Sequence, residues 1–76
     1  MHARVFLRQP LFTFPGAQAH VPTSAVVLEG ECTPMEGIGL KVVMSACFDE
    51  KGKALEVPPL VLVVSAGKID HLQILD

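Results

Sequence analysis

The chain has 76 residues, room for one domain and close to the smallest size at which a core holds without metals or disulfides. Half of its residues are hydrophobic, with four Phe and neither Trp nor Tyr, and six Lys and Arg stand against eight Asp and Glu for a formal charge of −2. That balance argues against the broad basic face with which nucleic-acid modules displace counterions, and no apolar run approaches the ~20 residues of a membrane-spanning helix.

At the N-terminus, residues 4–8 and 11–14 read as extended pieces split by Gln9-Pro10, and residues 15–23 as a loop. Arg4 and Arg8 precede an apolar stretch, and Ala17-Gln18-Ala19 has the small-x-small pattern of a cleavage site, but Pro10, Thr13, Pro15 and Gly16 break the stretch short of a signal-peptide core. Residues 1–23 are therefore expected to form an irregular strand and loop, and residues 24–76 the core of a single domain.

Residues 25–33 read as a strand with Val26, Leu28, Gly30 and Cys32 on one face and Glu29 and Glu31 toward solvent. Gly30 interrupts the apolar face, as at a bulge or a sharp corner. Residues 34–37 reverse the chain. Ile38, Leu40, Val42, Met44, Ala46 and Phe48 then recur at every second position, the period of a half-buried strand; its length predicts a bend or a strong twist. Asp49-Glu50-Lys51-Gly52 is a turn, after which residues 53–57 can pair back on the end of the long strand.

Pro58-Pro59 ends that pairing. Leu60, Val61, Leu62, Val63 and Val64 are apolar on both faces, which a strand tolerates only when both are covered. A small sheet covers one face, so these five residues are the predicted oligomer interface. Ser65 to Lys68 is a short turn, and residues 69–75 are the last strand, with Leu72 and Ile74 on one face. Helical spacing and helix caps are missing throughout. The predicted fold is all-β: a small, bent, five-stranded antiparallel barrel, in which closure removes exposed edges.

Little of this carries chemistry. By alternation Cys32 lies on the apolar face and Cys47 on the polar one, so no disulfide between them is expected. Asp49 and Glu50 beside Cys47 should raise its pKa and blunt its reactivity. No Cys or His spacing suggests zinc, and no metal or other cofactor is expected. Asp70 and His71, as strand neighbours, should point to opposite faces and not share a proton. Glu29 and Glu31 read as a solvated face. The Ser65 to Lys68 turn offers backbone N–H groups and one ammonium to an anion, but reads first as a plain corner. No nucleophile, base and orienting group come together, so the chain is not expected to be an enzyme; with two unpaired cysteines, a reducing cytoplasm is the expected setting.

Three stretches, "VVLEGECTP" with Gly30 at its corner, "GIGLKVVMSACF", and "LVLVVSAGKIDHLQIL", resemble in order and kind the strands of Sm-like proteins, small bent barrels that assemble into rings; other SH3-like barrels share the plan. The resemblance covers about two thirds of the chain. RNA-binding members carry Asp with Met-Asn or a similar pair in the middle hairpin and Arg-Gly before the last strand. Here Met44-Ser45 and Ala66-Gly67-Lys68 stand in those places, so Gly67 matches the family's glycine and Lys68 keeps a charge but not the planar donor fork of Arg. The family's N-terminal helix has no counterpart, since Gln9-Pro10 and Pro15 leave no room for it. The resemblance implies at most weak RNA binding at Gly67, Lys68 and His71. The expected function is that of an oligomeric structural or interaction module.

Overall fold

The computed structural model describes residues 1–11, 24–56 and 60–76. They form six strands: β1 (His2–Leu7), β2 (Val27–Met35), β3 (Gly39–Phe48), β4 (Ala54–Leu55), β5 (Leu60–Ser65) and β6 (Ile69–Ile74), with a 3-10 turn, Ala66–Lys68, between the last two. The protein is all-β, and its strands make one antiparallel sheet in the order β4-β3-β2-β1-β6, with β5 also on β3. The strand beyond the five read in residues 24–76 is β1, while β4, foreseen where residues 53–57 pair back on the long strand, pairs Ala54 with Phe48 and Leu55 with Cys47. β4 takes the far end of the β3 edge, whose near end, from Gly39 to Met44, pairs with β5. Among the described residues β5 and β6 do not pair, and the sheet is open between them. No described helix is long and apolar enough to cross a membrane.

One division expected from sequence is overturned. β1 is not peripheral to a core in 24–76, because it lies between β2 and β6 and buries Ala3 and Val5 completely. Local composition around Pro10 hides this, since the partners of β1 are about 25 and 68 residues away in sequence. Residues 12–14, the expected loop at 15–23 with its Ala17-Gln18-Ala19, and Val57-Pro58-Pro59 lie outside the described residues.

The inner face of the sheet carries Ala3 and Val5 from β1, Leu28 and Cys32 from β2, Leu40, Val42, Met44 and Cys47 from β3, and Val64 from β5. Half-buried Leu7, Leu11, Leu55, Leu60, Leu62, Ile69 and Leu72 close its margins. At about 25 cal/mol per Å² of apolar area removed from water, each large buried side chain contributes on the order of 1.5–3 kcal/mol. Turns set the register. Ile38 N–H donates to the Met35 carbonyl at 3.0 Å, with Gly37 third in the turn at φ +78°, the conformation a type II turn demands there and glycine adopts without strain. In the next turn the Asp49 carboxylate accepts from the N–H groups of Lys51 and Lys53, both at 2.9 Å.

The even-position alternation of β3 holds only as far as Met44. Glu29 pairs with Ala46 and Gly30 with Met44, so Ser45 is an extra residue, and its hydroxyl donates to the Glu29 carbonyl at 3.2 Å. This bulge exchanges the faces beyond it. Cys47 therefore turns inward to complete burial, not outward as alternation predicts, while Ala46 and Phe48 pass to the outer face. Gly30 stands at the corner foreseen for it: a Cβ there would lie 2.0 Å from the Val43 carbonyl oxygen.

Candidate functional site

Antiparallel register carries the outer-face positions of four strands into rows. Phe48 pairs with Val27, Val27 with Phe6, and Phe6 with His71, giving a row Phe48, Val27, Phe6, His71 across β3, β2, β1 and β6. The parallel row one step along is Ala46, Glu29, Arg4, Gln73. The bulge at Ser45 is what brings Phe48 into the first row, and so the sequence pattern gives no sign of it.

Within this row the rings of Phe6 and His71 lie face to face, centroids 4.3 Å apart and 6° from parallel. His71 Nδ1 is 2.8 Å from Asp70 Oδ2, which corrects the expectation that the two cannot share a proton. A second bulge is the reason: Phe6 pairs with His71 and Leu7 with Ile69, leaving Asp70 extra and free to swing beside its neighbour. Both side chains are more than half exposed, so the pair orients the imidazole without forming an enclosed acid–base site.

Arg4 Nε donates to Glu29 Oε1 at 2.6 Å, and its guanidinium carbon lies 5.8 Å from the centre of the Phe48 ring, within reach of a cation–π contact. Arg4, Phe6, Val27, Phe48 and Gly52 together line a shallow groove of about 290 Å³. The two glutamates of β2 do lie on its outer face, but each has a cation: Glu29 has Arg4, and Glu31 has the Met1 ammonium at 2.8 Å. The Glu31 hydrogen bond raises the Met1 amine above its ordinary pKa.

Gly67 and Lys68 sit in the 3-10 turn as a corner between strands, as expected. The structure adds a second cation. Arg8 N–H donates to the Lys68 carbonyl at 2.9 Å, and Arg8, Gln9, Gly67 and Lys68 line a cleft of about 130 Å³. Sixty residues separate the two cations in the chain, and only the β1–β6 pairing joins them. Neither belongs to an ion pair among the described residues, and residues 12–23 and 57–59 contain no Asp or Glu. His71, grouped with Gly67 and Lys68 by sequence, belongs instead to the aromatic row.

The five predicted interface residues divide by face. Val61 and Val63 are 57% and 50% exposed, Leu60 and Leu62 are half-buried, and Val64 belongs to the core. Val61 pairs with Val43, itself 45% exposed, so three valines form an apolar patch across β3 and β5.

The cysteines are free and buried. Burial is the first cause that pushes both thiols up; for Cys47 it replaces the nearby carboxylates as the reason. Asp76 is held below the ordinary carboxylate value chiefly by the His2 N–H, which donates to its carboxylate at 3.1 Å. Comparison with protein-family models, curated proteins and solved structures finds no match.

Proposed function

We propose that the chain is a self-associating interaction module whose working unit is a homo-oligomer, a dimer or ring, with no catalytic role. The observation that carries this is β5: Val61 and Val63 stand outward on a strand with no charged residue, beside an edge that no described residue pairs. Natural edges are ordinarily blunted with charges, prolines or bulges. Among the described residues the only other long edge is that of β6, so β5 of one copy can pair with β6 of the next. Such heterologous contacts close into rings when the rotation allows. Packing of a second copy over the outer face at Val43, Val61 and Val63, each about half exposed, contributes roughly 2–4 kcal/mol besides the edge pairing, at half the full-burial value for each.

The bulge and close backbone approach at Gly30 and the 3-10 turn joining β5 to β6 support reading this fold as an Sm-like or SH3-like barrel with its gap between those strands. Sedimentation at tens of micromolar is expected to give a multiple of 8.2 kDa, and Val63→Lys to lower it. A monomer at that concentration, with Val63→Lys folded and unaltered, overturns the reading.

The second reading is weak RNA binding at the 3-10 turn, favoured by the convergence of Arg8 and Lys68 on one cleft. Lys68→Ala is then expected to abolish binding and to shallow its salt dependence. Submicromolar binding at physiological salt, unchanged by that substitution, places any RNA elsewhere.

A further inference from the structure

We propose that the outer-face groove and the Arg8–Lys68 cleft together form a binding site for a mononucleotide, with the base in the groove and the phosphate in the cleft. The cleft is the one on which the RNA reading rests, but the ligand here is a single nucleotide and not a polymer.

The groove has the dimensions of a slot for one flat ring. Phe6 and Phe48 stand on β1 and β3, on either side of Val27 in the same row. Two strand spacings place their anchor points roughly 9.5 Å apart. A planar ring between two aromatic faces takes up about 7–8 Å at ordinary carbon contact distances, so one ring fits with Val27 as the floor. One face of Phe6 is already covered by the parallel ring of His71, which leaves the opposite face to the groove. A bound base displaces the Arg4 guanidinium, which lies 5.8 Å from the Phe48 ring centre, and extends the stack to His71, Phe6, base, Phe48. The Arg4 guanidinium, steadied by Glu29, lines the same groove and keeps N–H donors for the oxygens and ring nitrogens on the base's edge. A purely aliphatic guest would leave those donors unused.

The second part of the ligand follows from charge. Arg8 follows the end of β1, two residues beyond Phe6, a span of at most about 7 Å, and a pentose bridges that gap. Arg8 and Lys68 bring two unpaired positive charges to one cleft in a molecule whose net charge is −2, and the Gln9 amide and Gly67 backbone complete its lining. A phosphate monoester answers that arrangement with charge and several acceptors. Further phosphates of a polymer would meet Asp70 beside His71, and Asp49 and Glu50 in the turn that carries Gly52. A single nucleotide avoids them.

The test is a titration of the isotope-labelled full chain, followed by amide chemical shifts, with AMP, adenosine, inorganic phosphate and a short oligoadenylate. AMP is expected to move Phe6, Val27 and Phe48 together with Arg8 and Lys68, and to bind more tightly than adenosine or phosphate. Phe48→Leu keeps an apolar side chain but removes a stacking face, and is expected to weaken AMP about ten-fold while leaving phosphate binding unchanged. Lys68→Ala is expected to bring AMP down to the affinity of adenosine. Phosphate shifts confined to the cleft, with AMP no tighter than phosphate, overturn the proposal and leave the RNA reading standing. Oligoadenylate binding without AMP binding overturns the proposal in favour of that polymer reading; the absence of any shift at millimolar AMP, phosphate and oligoadenylate overturns both.

Discussion

Substituting Gly30 by Ala tests the bulge between β2 and β3, where the Val43 carbonyl closes on the glycine. The added Cβ would lie 2.0 Å from the Val43 carbonyl oxygen and 3.1 Å from Met44 Cα. Ordinary carbon–oxygen contact begins near 3.3 Å, so β2 and β3 must separate locally by about 1.3 Å. Both neighbours are backbone, and no side-chain rotation relieves the clash. Separation on that scale breaks the ladder hydrogen bonds beside the bulge, each worth about 1 kcal/mol net, and adds an overpacking cost of about 1–3 kcal/mol. The expected loss is about 3–5 kcal/mol, against a total stability of roughly 4–11 kcal/mol for a chain of this length. Urea denaturation followed by circular dichroism measures it directly, and the melting temperature should fall by about 12 °C or more. Gly67→Ala is the matched control: it meets no heavy atom within 4 Å and needs no positive φ, so stability should hold or rise by up to about 1 kcal/mol. A Gly30→Ala protein within about 0.5 kcal/mol of the parent, at unchanged m-value, would refute the close approach.

Other outcomes follow from burial and charge. Leu28→Ala removes the largest fully buried side chain among the described residues and should cost about 2–5 kcal/mol in the same assay. Cys32 and Cys47 should resist alkylation in the native protein and react at the rate of unfolding, since both are buried and their pKa values are raised; rapid labelling of Cys47 without denaturant would contradict the phase change at Ser45. The two thiols and the Met1 amine have folded pKa values above their ordinary 9.0 and 8.0. Their contribution is thus complete below about pH 8 and is lost as pH rises through the folded values. The urea midpoint should accordingly fall above pH 9, and a midpoint that rises there would contradict the raised thiols.

The sequence by itself determined the features that depend on near neighbours. Alternation from Leu40 to Met44, the turns at Gly37 and at Asp49 to Gly52, the corner at Gly30 and the two-faced apolar run from Leu60 to Val64 are all written in residues a few positions apart, because a strand has period two and a turn spans four residues. Tertiary structure decided whatever depends on register. Whether Ser45 is an extra residue rests on how β3 meets β2, and that one position sends Cys47 into the core and Phe48 to the outer face. Asp70 lies beside His71 because β1 leaves it unpaired, and Arg8 shares a cleft with Lys68 because β1 and β6 are neighbours. A bulge reverses the faces beyond it at the cost of one unpaired residue, and its position is fixed by the partner strand; neither the aromatic row nor the paired cations leave a mark in local spacing.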